Sequence, residues 1–223
     1  MSALSSGDGS SAFWGAAEDG HLIERGRARR LLVKGSFLHV LQDDVELPNG
    51  LQVTREFVRH PGAAMVIALL DDGRLLLERQ FRYPVGRVMI EFPAGKRDAD
   101  EASLHCAQRE LLEETGYVAA EWAYAGVLHP VISYATEQID IWFARGLTPG
   151  VARPDPGELL DVVSLSPEEL LQACLSGAVT DAKTLTGMLW VQNVLSGRHF
   201  LSWSGADPAS HRTPPSVTVP LIA

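Results

Sequence analysis

Along this chain the apolar and polar positions pass from strand-like to helical patterning, back to strand-like, and end helical. Two runs, LLVKGSFLHVLQDDVEL (31–47) and LQVTREFVRH (51–60), flank Pro48-Asn49-Gly50. Asn-Gly between such runs signals a hairpin, because the tight turn needs positive φ that these residues tolerate. MVIALL (65–70) and RLLLERQF (74–81) form a second hairpin around Asp71-Asp72-Gly73, and VMIEF (88–92) is a further strand stopped by Pro93-Ala94-Gly95. From about Asp100 to Thr115 the period becomes helical, with Leu104, Ala107, Leu111 and Leu112 on one face. Asp98 or Asp100 is the expected cap and Gly116 suits the C′ position. Strands return in WAYAGVL, EQIDIWFA and LLDVVSL. Two helices close the pattern, one over 167–175 after a Ser cap and one over 181–195 before Gly197. Many strands with few helices predict an α+β, mixed-sheet architecture and not a regular βαβ repeat.

Composition narrows the class. No apolar run in the 223 residues approaches the roughly 18–20 needed to span a bilayer. The first residues carry neither the basic nor the apolar region of a secretory signal, and they are not Arg-rich. Residues 1–20 are rich in Ser, Gly and Ala and read as disordered, with Phe13 and Trp14 free to dock; residues 204–223 read as a Pro/Ser-rich tail. Nineteen Lys and Arg against 28 Asp and Glu give a net charge of −9, which argues against nucleic-acid or anionic-membrane partners. RGRARR (25–30) reads as a solvated basic edge. Cys106 and Cys174 have no metal-like spacing and read as reduced thiols filling a core, with the cytoplasm as default compartment.

The chemistry concentrates on the 100–115 helix. Glu110, Glu113 and Glu114 stand at i, i+3 and i+4, so their carboxylates share a face. Gathered carboxylates repel unless a cation sits among them, and hard, oxygen-liking Mg²⁺ or Mn²⁺ is the natural choice. A bare ExxEE is more often a solvated acidic face, but the context here is specific. Gly95 is followed after five residues by Glu101 and after seven more by Arg109-Glu110-Leu111-Leu112-Glu113-Glu114-Thr115-Gly116-Tyr117. This matches the Nudix box, G-x5-E-x7-R-E-U-x-E-E-x-G-U, at all its fixed identities. If each is a roughly one-in-fifteen event over about 200 windows, chance agreement is on the order of one in a million. Tyr117 replaces the usual Ile, Leu or Val and is still bulky and largely apolar.

The chain therefore resembles a Nudix hydrolase. EFPAGK (91–96), LLLERQFRYPVG (75–86), VELPNGLQVTREFVRHPGA (45–63) and GAVTDAKTL (177–185) look like the ADP-ribose pyrophosphatase branch, over about residues 30–200. The resemblance implies a Nudix fold, an α/β/α sandwich around a mixed sheet, spanning residues 61–203. It also implies a small N-terminal antiparallel sheet at 21–60 that supports a homodimer. It makes Glu110, Glu114 and the Ala94 carbonyl metal ligands, with Glu113 as ligand or water-orienter. Gly95, Glu101, Arg109 and Gly116 become structural members of the motif. Arg82, Gln80, Glu91 and, more weakly, Arg79 and Lys96 would line the substrate cleft, where a planar cation suits an anionic diphosphate. The catalytic base falls among the loop carboxylates Glu137, Asp155 and Glu158. ARPDPGELLDVV (152–163) keeps Glu158 but has Pro156 where some relatives carry an acid, and HPVISYATE (129–137) departs from the branch's Ser-Pro-Gly loop. The implied activity is metal-dependent hydrolysis of ADP-ribose. Another nucleoside-diphosphate sugar, such as a GDP-hexose, or a non-catalytic ADP-ribose sensor are the alternatives.

Overall fold

A computed structural model describes residues 19–207; residues 1–18, with Phe13 and Trp14, and most of the 204–223 tail lie outside them. The described residues divide into two units, one ending at Val58 and the other beginning at Arg59.

The first unit is a three-stranded sheet in the order β1-β2-β3. Its strands are β1 (Arg25–Lys34), β2 (His39–Glu46) and β3 (Gln52–Arg59). The run 31–47 is thus two strands, broken at Gly35, whose N–H donates to the Leu38 carbonyl (2.8 Å). The Asn49-Gly50 turn forms as its sequence suggests, with Gly50 at φ 85°. RGRARR is exposed, but it is not a bare basic edge. β1 pairs antiparallel with the acidic strand β2, and Arg27, Arg29 and Arg30 form ion pairs with Glu46, Asp43 and Asp44. The Arg27 and Arg30 pairs are exposed and contribute little energy each, while the Arg29–Asp43 pair is part-buried. A basic strand opposite an acidic one disfavours slipped registers.

The second unit is built on a sheet ordered β10-β5-β4-β9-β8-β11, with β6 beside β5 and β7 beside β4. Its strands are β4 (Ala63–Leu69), β5 (Leu75–Arg82), β6 (Arg87–Glu91), β7 (Ala94–Lys96), β8 (Tyr117–Leu128), β9 (Ile139–Pro149), β10 (Leu160–Leu165) and β11 (Ser204–Gly205). β4 and β9 run parallel while their other neighbours are antiparallel, so the sheet is mixed. The apolar run of β4 is continuous because both faces are covered. Ala64, Val66 and Ala68 pack with Leu104, Ala107 and Leu111 of α1 (Ser103–Thr115). Met65 and Ile67 pack with Leu170 of α2 (Pro167–Leu175) and with Met188 and Val191 of α3 (Ala182–Leu195). Helices on both faces of a mixed sheet make the expected α/β/α sandwich.

The first helix carries two corrections, one at its start and one on its buried face. Neither Asp98 nor Asp100 caps α1, which starts after Ala102 with no side-chain cap. The Glu101 carboxylate instead accepts from the Asp98 N–H (2.9 Å), and Ser103 Oγ receives the buried Trp142 Nε1–H (2.8 Å). Leu112 is 39% exposed. It lies about 80° around the helix from Leu104, whereas Leu111 returns to within about 20°. Gly116 ends α1 at φ 76°, its N–H on the Leu112 carbonyl, as its position predicts. The Ser166–Glu169 capping box opens α2 and Asp181 caps α3.

Candidate active site

A glycine sets the approach of loop to helix. β7 pairs with β4, matching Ala94 with Met65, and the Ala94 N–H donates to Glu114 Oε2 (3.1 Å). A Cβ added at Gly95 would lie 1.9 Å from Glu110 Oε1, so the Glu110 carboxylate occupies the space a side chain would need. Arg109 locks this arrangement. Its guanidinium forks onto Glu101 (2.9 Å to each oxygen) and donates to the Lys96 carbonyl (3.0 Å). It also reaches Glu110 Oε1 (2.8 Å) and Glu113 Oε2 (3.0 Å). Glu101 and Arg109 thus brace the loop against α1, and the pair holds the Glu101 carboxyl below the usual carboxylate range.

The acidic face is not solvated. Glu110 and Glu114 are buried, while Glu113 stays partly exposed. Burial pushes Glu110 up to about 7 against the pull of Arg109. Burial, then the neighbouring Glu78 and Glu110 carboxylates, push Glu114 up to about 10. Glu78 of β5 is wholly buried, and burial followed by the charge of Glu91 raises it to about 7. Glu91, its partner across the β5–β6 ladder, behaves oppositely. Burial pushes it up, but ion pairs with Arg82 and Lys183 outweigh this and leave it below the usual range. Arg82 forks onto Glu91 through Nε (2.6 Å) and Nη2 (2.9 Å). Lys183 of α3 bonds Glu91 and also Asp181 Oδ2 (3.1 Å).

Beside this network opens a cleft of about 480 Å³ whose wall includes Arg82, Glu91, Ala94, Lys96, Glu137 and Lys183. The structure therefore brings Ala94, Gly95, Glu110, Glu114, Arg82 and Glu91 together. Gln80 is buried beside them with Oε1 lacking a hydrogen-bond partner among the described residues. Arg79 is separated from the group: it is exposed and reaches Asp161 Oδ2 (3.5 Å), because alternate β5 positions face opposite ways. Glu158 sits in a tight loop whose N–H bonds Asp155 O (2.9 Å), and its charge acts on both Glu110 and Glu114. Glu137 lies 3.8 Å from His60 Nε2.

Two residues of this site escaped sequence reasoning. Lys183 sits in the GAVTDAKTL segment without a distinguishing spacing. Glu78 does leave a signal, a lone charge directly after Leu75-Leu76-Leu77 in a buried run.

The donors suit a hard divalent ion, which prefers carboxylate and main-chain oxygens. Among the described residues no three His, Cys, Asp or Glu side chains stand as a ready cage. The fit rests on the buried Glu110–Glu114 pair and on the Gly95 turn that lets the main chain approach it.

Comparison with known proteins bears on this geometry. The NUDIX domain profile matches residues 58–186. The ADP-ribose pyrophosphatase of Bacillus subtilis (strain 168) is 34% identical over 173 residues, 77% of this chain and 94% of its own. A methanol dehydrogenase activator of Bacillus methanolicus is 36% identical over 165 residues, 72% and 88% of the two chains. A crystal structure of an ADP compounds hydrolase superposes with a TM-score of 0.71 at 23% identity, covering 78% of this chain and 95% of that one. At that identity the likeness speaks for the fold.

Proposed function

This chain belongs to the NUDIX domain family and is a Nudix hydrolase, and from that premise we propose that it hydrolyses the diphosphate linkage of ADP-ribose to AMP and ribose 5-phosphate, with Mg²⁺, or Mn²⁺ in its place, as cofactor. The observation that carries the reading is the buried Glu110–Glu114 pair held against Gly95 beside a cleft walled by Arg82, Lys96 and Lys183. The name of the Bacillus subtilis relative supports the choice of sugar nucleotide.

Glu110 and Glu114 would hold the cation, with the Ala94 carbonyl as a further donor. When bound, the ion neutralises diphosphate oxygens and makes a water more acidic. Arg109 engages Glu110 through Oε1 and so orients Oε2. Arg82 has Nε and Nη2 committed to Glu91, which aligns the guanidinium and leaves Nη1 for a phosphate oxygen. The proton of the attacking water goes to a loop carboxylate. Glu137 lines the cleft, and Glu158 is near enough to act on both metal-face glutamates.

The test follows AMP release from ADP-ribose with Mg²⁺, beside an EDTA control and the variants Glu114→Gln, Glu137→Gln and Glu158→Gln. Activity should vanish with EDTA, fall by a factor of 10² or more in Glu114→Gln, and fall about 10²-fold in whichever loop variant removes the base. Intact ADP-ribose in every tube would remove this substrate and turn the search to a panel of other nucleoside-diphosphate sugars.

A further inference from the structure

The β5 strand carries a group that the mechanism above does not use. Glu78 is 0% exposed, and neither carboxylate oxygen has a hydrogen-bond partner among the described residues. A buried carboxylate in that condition is strongly destabilising unless it is neutralised. The cations around it are already engaged. Arg82 comes no nearer than 3.9 Å to Glu78 Oε1, because its guanidinium is forked onto Glu91. Lys183 is bound to Glu91 and Asp181. What Glu78 does face is the Glu114 carboxyl of α1, which is another acceptor while both are ionised and so leaves the Glu78 oxygens unpartnered. Two buried carboxyl groups from different elements, with only the long Arg82 contact to Glu78 as a cation, supply two oxygen donors of the kind a hard metal takes.

We propose that Glu78 is a metal ligand of this enzyme, a strand-borne carboxylate that binds a divalent cation jointly with Glu114. The inference rests on the metal-dependent reading above and extends its ligand set beyond the Nudix box. Glu110 and Glu114 are turned onto Arg109 and the Ala94 N–H, so a shared ion asks for their side chains to rotate. The competing account is a carboxyl pair that shares one proton and only fills space. The two accounts differ in what substitution does. A neutral Gln or an apolar Leu at 78 replaces a proton-sharing carboxyl at little or no loss of stability, but neither replaces an anionic ligand.

Mn²⁺ binding separates them without relying on turnover. Free Mn²⁺ is titrated by its EPR signal against wild type, Glu78→Gln, Glu78→Leu and Glu114→Gln, and thermal midpoints are read for each in EDTA and in excess Mn²⁺. The expected result is one fewer ion bound, or affinity weakened at least 10-fold, in both Glu78 variants. Their midpoints in EDTA should match or exceed wild type, and the Mn²⁺-induced rise should shrink. Wild-type binding within twofold in both Glu78 variants, while Glu114→Gln loses it, overturns the role of Glu78 and leaves the box site standing. Failure of wild type itself to bind Mn²⁺ removes the metal reading as a whole. Unfolding of both Glu78 variants in EDTA also overturns the proposal, since the role would then be structural.

Discussion

Gly95 shows how one missing Cβ can organise a site. Its substitution is not a matter of backbone strain, because what an added methyl meets is the carboxylate of Glu110, at 1.9–2.4 Å. That carboxylate is the far end of a flexible side chain, so it can move and the fold survives, but it moves away from where Arg109 holds it. Gly95→Ala should therefore leave the thermal midpoint within a few degrees of wild type while kcat falls about 10²-fold, the usual consequence of an ångström-scale misplacement. Steady-state kinetics beside a melting curve checks both halves, and an unchanged kcat would show that the position of Glu110 does not matter. At this scale the box was fully legible, since fixed spacings specify it. Glu78 and Lys183 were not, because a lone Glu or Lys acquires meaning only from what the fold sets beside it.

Among the elements, the entry into β4 holds a titratable group with a definite sign. The His60 N–H bonds Thr136 Oγ1 (2.9 Å), and its Nδ1 accepts the Gly62 N–H (3.2 Å), which requires an unprotonated Nδ1. Burial lowers its pKa from 6.5, Lys96 adds to that, and Glu137 opposes it. A depressed folded-state pKa means that the stability held above 6.5 is lost as the pH falls from there through the folded value. The loss is at most about 1.4 kcal/mol per pH unit for one proton. His60→Asn retains an acceptor but does not titrate. The stability of wild type relative to that variant should thus decline between pH 7.5 and 5.5 in denaturant titrations. A difference that grows instead would mean a charged His60 in the fold. The strands and helices themselves were mostly legible. The misreadings came at ends. At Gly35 a backbone bond to the Leu38 carbonyl closes a turn inside the apolar run. At Asp98–Asp100 the Glu101 carboxylate takes the Asp98 N–H and leaves α1 without a side-chain cap.

For the whole molecule, we propose a homodimer formed through residues 21–60. The supporting observation is that β1, an edge strand of its sheet, exposes Leu31, Leu32 and Val33 at 51%, 46% and 54%. Such an edge ordinarily needs cover. Sedimentation should give twice the chain mass, shifting toward the monomer in Leu31→Glu/Val33→Glu. A monomeric wild type at micromolar concentration would remove the idea. The sequence by itself determined the elements, the mixed architecture and the Gly95–Gly116 box, because these follow from periodicity and from spacing along one stretch of chain. Only the tertiary structure decided that the acidic face is buried, that Arg79 lies away from the cleft, and that Glu78, Glu91, Glu114, Arg82 and Lys183 share one charge network. These residues come from β5, β6, α1 and α3, and the charge state of each depends on burial and on neighbours far off in sequence, which no local pattern records.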